Sequence, residues 1–207
     1  MNLVPVPLRI LGCLLEKEAT TPDVYPLSLN ALTVACNQLT NREPVMQLAE
    51  VEVRNAVNAL RQDGLVRAIQ PAGSKVMKFQ HLLADKLNLD ARERAVLCVL
   101  MLRGAQTLAE IRTRTTRLAE FPGAEDVEAT LTELARRGLA AEVGRQPGQK
   151  ESRFVQLLGQ QSDDHAADGR VENAHDGERP AEAHAASAGG AQGPDRVAAL
   201  EAKVDEL

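Results

Sequence analysis

The sequence predicts a mainly α-helical α+β protein with two tandem winged-helix domains, a helix-turn-helix variant, followed by a C-terminal tail. Two observations lead to this prediction. Three blocks of sequence recur in the same order, and each copy has the pattern of three helices followed by a β-hairpin. The composition also changes abruptly after residue 158. We assign residues 1–84 (copy one) and 85–158 (copy two) to the two domains.

The repeat consists of three pairs of matching segments. Arg9–Leu15 aligns with Arg94–Leu100 at an offset of 85, Glu52–Leu65 with Asp126–Leu139 at 74, and Phe79–Leu83 with Phe154–Leu158 at 75. The change in offset places about 11 extra residues in copy one, around Asp23 to Pro44. Because the blocks keep their order, two related domains explain them better than chance similarity.

The first two helices of each copy are predicted from apolar runs and capping residues. Leu8 to Leu15 is the apolar run in copy one, and in copy two Asp90 and Glu93 form a capping box. The second helix begins after Ser28 in copy one. In copy two it begins at Thr107, with Glu110 three residues later.

The third helix has apolar residues at helical spacing, Val53, Val57 and Leu60 in copy one and Val127, Leu131 and Leu134 in copy two. Gly64 and Gly138 then end it, because glycine adopts positive φ at little cost. Two short strands follow around a turn rich in Pro and Gly, which predicts a hairpin. The predicted strands are Leu65–Ile69 and Val76–Phe79 in copy one, and Leu139–Val143 and Ser152–Leu157 in copy two.

The tail is predicted to have two parts. Residues 159–193 are rich in Ala, Gly, Asp, Glu and His, and such a segment buries too little apolar surface to order itself, so we predict a disordered acidic linker. Residues 194–207 are predicted as a short helix or coiled-coil segment. Val197, Leu200, Val204 and Leu207 have a/d spacing there, which favours a homo-oligomer, although the segment could also dock on its own body.

The net charge of −5 over 207 residues is the sum of two segments with charges of opposite sign. Residues 1–158 hold 20 Lys and Arg against 18 Asp and Glu, a net charge of +2. Residues 159–207 hold 4 against 11, a net charge of −7. The charge that a partner of the two copies would meet is therefore the +2 of residues 1–158.

Membrane and disulfide-rich classes are excluded by composition. No stretch approaches the ~20 apolar residues that cross a bilayer, and the start of the chain has no basic segment typical of a signal peptide. Cys13, Cys36 and Cys98 are odd in number and lack C-x-x-C spacing, which predicts reduced thiols in a cytoplasm. Cys13 and Cys98 are expected in the core, whereas Cys36 could be more exposed.

Copy one also contains a distinctive segment, Leu14–Val45. It includes Leu14-Leu15-Glu16-Lys17-Glu18, Thr21-Pro22-Asp23-Val24-Tyr25-Pro26-Leu27, Ala35-Cys36-Asn37-Gln38 and Asn41-Arg42-Glu43-Pro44-Val45. These motifs resemble the YceH family of uncharacterised bacterial proteins, over about residues 6–158. The resemblance implies tandem winged-helix domains and often a C-terminal coiled-coil segment, with no established activity. The family more often has Lys-Ser where this chain has Leu39-Thr40, which removes one possible phosphate contact.

Copy one has a candidate DNA-binding surface. Opposite the apolar face of the third helix lie Asn55, Asn58 and Gln62, flanked by Arg54. Amide side chains can read adenine, and Arg can read guanine or hold phosphate. The hairpin adds Arg67, Lys75 and Lys78, which suit contacts with the DNA backbone. These residues predict binding to double-stranded DNA.

Copy two is a weaker DNA-binding candidate. Its third helix has Ala129 and Thr132 at the equivalent positions, together with Arg136. The remaining surface candidates are Arg112, Arg114 and Arg117, of which the last two share a helical face. A net charge of +2 is a small basic footprint for a nucleic-acid-binding protein.

The alternative function is a protein-interaction adaptor that does not bind DNA. The extra segment of copy one contains an apolar group, Val24, Tyr25, Pro26 and Leu27, that a partner could cover. The same residues could instead cover the core of their own domain.

An enzymatic function is not favoured. The chain lacks G-x-S-x-G, a glycine-rich phosphate loop and H-E-x-x-H. His81 is the only histidine in the two copies, and we expect it at the surface. We predict a non-enzymatic regulatory protein with no catalytic residue, metal site or cofactor.

Overall fold

A computed structural model describes residues 1–144 and 151–159. These residues form seven α-helices: α1 (Pro5–Thr20), α2 (Leu29–Cys36), α3 (Glu50–Gln62), α4 (Leu83–Leu87), α5 (Ala91–Arg103), α6 (Leu108–Thr115) and α7 (Ala124–Arg136). They also form five short strands: β1 (Leu27–Ser28), β2 (Val66–Ile69), β3 (Lys78–His81), β4 (Ala140–Val143) and β5 (Arg153–Gln156). The predicted mixture of helices and small antiparallel sheets is confirmed.

Three predicted features lie outside the described residues. They are most of the turn of the second hairpin, the acidic linker beyond residue 159, and the C-terminal segment 194–207 with its a/d residues Val197, Leu200, Val204 and Leu207.

The predicted helix starts are confirmed at their capping residues. The Ser28 hydroxyl accepts a hydrogen bond from the backbone N–H of Ala31 at 3.2 Å. Asp90 and Glu93 form a capping box at the start of α5. Thr107 and Glu110 do the same at the start of α6. Each pair satisfies amides that a helix end leaves without a partner.

The first helix is longer than its apolar run. α1 starts at Pro5, three residues before Leu8, and extends through Thr20. Proline is compatible with the first turn, because the N–H that it lacks has no acceptor there.

Both hairpins form, and each has an additional short pairing. β2 pairs with β3, and β1 pairs with the other edge of β3, so the strand order is β1-β3-β2. In this sheet Leu27 lies opposite Phe79. In copy two β4 pairs with β5, and Gln106 bridges to Phe154, the counterpart of Phe79. The residue just before the cap of the second helix therefore contacts the same hairpin position in both copies.

The two copies share one hydrophobic core. α1 packs along α5, and Leu11, Leu14, Val96, Leu97 and Leu100 are almost fully buried. Gly12 of α1 lies close against α5, because an added Cβ would be 2.8 Å from Leu102 Cδ2. The described residues therefore belong to one compact unit. The division into two domains, residues 1–84 and 85–158, stays a prediction.

The third helices end at equivalent glycines, as predicted. Gly64 has φ of 66° and Gly138 has φ of 67°, values in the left-handed region that favours glycine. After each glycine, a leucine N–H bonds back to the helix, from Leu65 to the carbonyl of Leu60 and from Leu139 to that of Leu134. This turn directs the chain from α3 into β2 and from α7 into β4.

Candidate functional site

The α3 helix has one buried and one exposed face, as its sequence predicts. Val53, Val57 and Leu60 are at most 1% exposed. On the opposite side, the predicted residues Arg54, Asn55, Asn58 and Gln62 are all exposed. The structure therefore presents the amide-bearing face of α3 to solvent.

Local contacts reduce the positive charge of that face. Arg54 Nη2 lies 2.6 Å from Glu50 Oε1, and both side chains are largely exposed. Arg61 donates to Asn58 Oδ1 at 3.3 Å. Glu52 Oε2 accepts a hydrogen bond from the Ala49 N–H at 2.8 Å, which explains one of the carboxylates in the first turn. The face is polar more than it is basic.

The first hairpin carries three basic side chains that form no ion pair with any residue that the structure describes. Arg67 lies opposite Gln80, two residues from Lys78 on β3, so Arg67 and Lys78 lie on one face of the hairpin. Lys75 is exposed in the turn. Within the described part of the chain, none of these three cations has a carboxylate within 4.0 Å.

The sequence around these cations contains no acidic residue. Residues 65–84 include three Lys and Arg and neither Asp nor Glu. The equivalent stretch of copy two, residues 139–158, contains Glu142 and Glu151. The first hairpin is therefore the more basic of the two.

The four candidates of copy two do not form one surface. Arg136 on α7 makes two hydrogen bonds with Glu133, at 2.7 and 2.8 Å. Arg112 is exposed beside an open groove between α6 and α7. Arg114 and Arg117 instead line a separate cavity near α5. α6 ends at Thr115, so Arg117 lies in the turn after the helix and the helical face predicted for Arg114 and Arg117 does not exist. The two side chains nevertheless line the same cavity, whereas Arg112 lines the groove.

Sequence reasoning misses a buried charge cluster. Glu16 on α1 binds Arg42 from the loop between α2 and α3 at 2.6 Å, and Arg117 from copy two at 2.7 Å. Nearby, Arg9 is 1% exposed and donates to the carbonyls of Cys36 and Pro44. The loop thus folds against α1 through two buried arginines: Arg42 pairs with Glu16, and Arg9 binds backbone carbonyls 27 and 35 residues away.

The apolar residues 24–27 of the extra segment differ in their burial. Leu27 is buried, whereas Val24 is 56% exposed. The Tyr25 hydroxyl accepts a hydrogen bond from the backbone N–H of His81 at 3.0 Å, and burial raises the pKa of this phenol. Tyr25 and Leu27 therefore cover their own copy, which favours the structural interpretation for those two residues.

His81 is not at the surface, and that expectation is wrong. Its side chain is 3% exposed, and Nε2 lies 2.9 Å from Glu18 Oε2. The same Glu18 oxygen accepts from Arg94 Nη1 of copy two at 3.1 Å. The ring is buried because β3 lies next to α1 and places His81 beside Tyr25 and Glu18.

All three cysteines are free and buried. Cys36 is therefore a core residue like Cys13 and Cys98. The hydrogen bond with Cys13 and burial together raise the pKa of the Cys36 thiol, and burial raises that of Cys98. Within residues 1–144 and 151–159, no cluster of three or more His, Cys, Asp or Glu could hold a metal ion. No helix among these residues has both the length and the apolar character to span a membrane.

Comparison with known proteins places this chain in a family. Residues 3–149 match the family described as "Protein of unknown function, DUF480". A UPF0502 protein of Solibacter usitatus is 48% identical over 200 residues, which cover 97% of this chain and 90% of the relative. A UPF0502 protein of Chromobacterium violaceum is 52% identical over 153 residues, covering 73% and 70% of the two chains. One from Serratia proteamaculans is 45% identical over 172 residues, covering 80% of each. The chain therefore belongs to the DUF480 family, together with bacterial UPF0502 proteins, in agreement with its resemblance to the YceH family.

Proposed function

We propose that the protein is a non-enzymatic, tandem winged-helix factor that binds double-stranded DNA through copy one. The order of elements supports the fold assignment. In copy one the order is α1, β1, α2, α3 and then the β2–β3 hairpin, with strand order β1-β3-β2. Copy two follows the same order, and the Gln106–Phe154 bridge takes the place of the β1 pairing.

The acid-free first hairpin is the observation that carries the DNA proposal. Arg67, Lys75 and Lys78 have no carboxylate partner in the described chain, so their charges remain available to phosphate. In winged-helix proteins the hairpin contacts the DNA backbone while the third helix enters the major groove. The exposed Asn55, Asn58 and Gln62 of α3 have the amide groups that read adenine edges.

Copy two has a supporting role in this proposal. Its α7 face carries Ala129 and Thr132, and its arginine there, Arg136, is paired with Glu133. Its helix α5 packs against α1 of copy one. We infer that copy two stabilises copy one and contributes little to DNA affinity.

The experiment is binding of the full chain to a mixed-sequence DNA duplex across a series of salt concentrations. Each phosphate contact contributes about −0.9 to the slope of log K against log salt. The Lys75→Ala/Lys78→Ala variant is therefore expected to weaken binding and to reduce the slope by about 2. Arg136→Ala is the matched control and leaves the slope unchanged. Absence of binding at low salt, or an unchanged slope in the double variant, would overturn the proposal.

Base reading by α3 is tested separately. Wild-type protein is expected to enrich a sequence motif from a random duplex pool. Asn55→Ala/Asn58→Ala is expected to abolish that enrichment while the salt slope persists, because amides read bases and cations hold phosphates. The matched control on α7 is Thr132→Ala. Enrichment that survives in the double variant would remove α3 as the reading helix.

The adaptor function is the second candidate, and exposed apolar side chains favour it. Val34 on α2 is 59% exposed, and Leu39 in the following loop is 79% exposed. An adaptor predicts that Val34→Ser/Leu39→Ser removes a specific protein partner from a pull-down without affecting DNA binding. Failure of the DNA experiments together with this result would favour the adaptor.

Self-association through residues 194–207 is also part of the proposal. The a/d spacing of that segment supports it. Removing residues 194–207 is expected to lower the mass measured in solution by light scattering. An unchanged mass would reject a role for the segment in assembly.

A further inference from the structure

A cavity of about 250 Å³ lies where α1, α5 and α6 meet. Its apolar lining comes from Cys98, Val99 and Leu102 of α5 and from Leu118 after α6. Three arginines of copy two line it, Arg103, Arg114 and Arg117, together with Asn41 and Glu16 of copy one. The cavity is thus formed by both copies and is separate from the exposed face of α3.

Arginines outnumber carboxylates around this cavity. Glu16 is shared by Arg117 and the buried Arg42. Glu110 is shared by Arg114, at 3.4 Å, and Arg153, at 3.0 Å. Arg103 has no carboxylate partner in the described residues and donates only to the amide oxygen of Asn41. Four arginines therefore share two carboxylates and Arg103 pairs with neither, which leaves a local excess of positive charge.

The neighbouring positive charges affect the pKa of Arg103 in particular. Burial lowers the pKa of its guanidinium, and the positive charges of Arg114, Arg117 and Arg42 lower it further. Like charges held together in a partly buried site repel one another, and an anion between them removes the repulsion.

We propose that this cavity binds a small, doubly charged oxyanion, either phosphate or the phosphate group of a small metabolite. A guanidinium presents a planar fork of N–H donors that matches phosphate oxygens in pairs. The side chains of Arg114 and Arg117 are 29% and 51% exposed, so their charged groups can be reached from solvent.

The size of the cavity restricts the ligand. Its 250 Å³ is below the roughly 300–1,000 Å³ of sites for drug-sized molecules. A phosphate with a short organic group fits that volume better than a dinucleotide. Because Asn41 belongs to copy one and Arg103 and Arg114 to copy two, the ligand would touch both copies.

The test is isothermal titration of the full chain with inorganic phosphate, at pH 7.5 and constant ionic strength, in a buffer without other oxyanions. Wild-type protein is expected to bind one phosphate with a Kd below about 1 mM. Arg103→Gln is expected to weaken binding about ten-fold or more, because a charge-assisted hydrogen bond is lost. Arg112→Gln is the matched control: it lies on the same helix as Arg114 but lines a different groove, and its affinity stays within two-fold of wild type.

Arg114→Gln repeats the test if Arg103→Gln does not fold, because it leaves the Glu16–Arg42 pair intact. Absence of saturable binding in wild type, or equal weakening by Arg112→Gln and Arg103→Gln, would overturn the proposal. DNA affinity is measured with the same variants. A loss of DNA affinity in Arg103→Gln, together with no saturable binding of phosphate to the wild-type protein, would assign the arginines to the DNA backbone and reject a small ligand. The titration itself contains no DNA, so it is independent of the function proposed for copy one.

Discussion

Glu16 and Arg42 form an ion pair in the protein interior, with 2.6 Å between Oε2 and Nη2 and side-chain exposures of 3% and 0%. The other donors of Arg42 are also used, by the carbonyl of Ala35 and the side chain of Gln38. Arg117 of copy two reaches the second Glu16 oxygen at 2.7 Å. One carboxylate on α1 therefore connects the loop between α2 and α3 to copy two.

Replacing Glu16 by Gln is expected to lower the free energy of unfolding by about 3–5 kcal/mol. Glutamine keeps the volume of the side chain but removes its charge, so the buried Arg42 guanidinium loses its counter-ion. An unpaired buried charge is costly, which makes the loss large. Urea denaturation followed by circular dichroism measures it.

The matched control for this variant is Glu50→Gln. Glu50 and Arg54 have the same 2.6 Å separation but side-chain exposures of 47% and 55%. An exposed pair contributes only about 0–1 kcal/mol, because water screens it. Equal losses in the two variants would contradict a special role for burial of the Glu16 pair.

Stability is expected to fall in acid because of the same carboxylate. Burial alone would raise the pKa of Glu16, but the hydrogen bond and charge of Arg42, with Lys17 and Arg117, hold it below its ordinary 4.5. A carboxyl whose pKa is lowered on folding contributes its full stability above the unfolded pKa and loses it as pH falls through the folded one.

The unfolding free energy is therefore expected to be nearly constant from about pH 7 to pH 5 as far as Glu16 is concerned, and to decrease below about pH 4.5. The decrease should be smaller in Glu16→Gln, since glutamine does not titrate. Glu18 also contributes to the loss of stability in acid, and it does so in both proteins. Its pKa is lowered as well, chiefly by its hydrogen bond with His81. Identical pH profiles for the two proteins would contradict the role of Glu16.

The helices and hairpins were predictable because their signals are local. Ser28, Asp90 and Thr107 cap the helices that follow them, and the apolar spacing of α3 identifies its buried face. The two-residue strand β1 was not predictable. It exists because Leu27 meets Phe79, a partner 52 residues away that no local pattern reveals.

In the candidate site, too, the features with a local sequence signal were predictable and those that depend on distant residues were not. The exposed face of α3 follows from 100° per residue, which needs only the helix itself. The pairing of Arg117 with Glu16 joins residues 101 positions apart, and Arg117 lies beyond the end of α6, so helical spacing does not predict it. His81 was misplaced for the same reason, because its burial depends on Glu18 and Tyr25, both more than 50 residues away.

The three thiols are expected to be unreactive in the native protein. Cys13 and Cys36 are fully buried and Cys98 is 2% exposed, so a reagent cannot reach them. Burial also disfavours the thiolate that reacts at Cys98. With Ellman's reagent we expect no fast reaction in buffer and three equivalents in denaturant. Fast modification of one thiol in buffer would show that the α1–α5 core opens readily.

Replacing Gly12 by Ala is expected to destabilise the protein by about 1–2 kcal/mol. Alanine favours a helix by about 1 kcal/mol over glycine, which would stabilise an exposed position. At Gly12, however, the new Cβ would lie 2.8 and 2.9 Å from Cδ2 and Cγ of Leu102, and 3.3 Å from Met101 Cβ. The contact with α5 therefore outweighs helix propensity.

A double-mutant cycle with Leu102→Ala isolates that contact. Leu102→Ala alone is expected to cost about 2–5 kcal/mol, because it leaves a cavity in the core. In that background the main obstacle to a Cβ at position 12 is gone, so Gly12→Ala should no longer destabilise, and the coupling energy should be favourable. Equal destabilisation in both backgrounds would mean that Leu102 does not set the distance between α1 and α5. A favourable coupling would show that the absence of a side chain at Gly12 allows α1 to pack closely against Leu102 of α5.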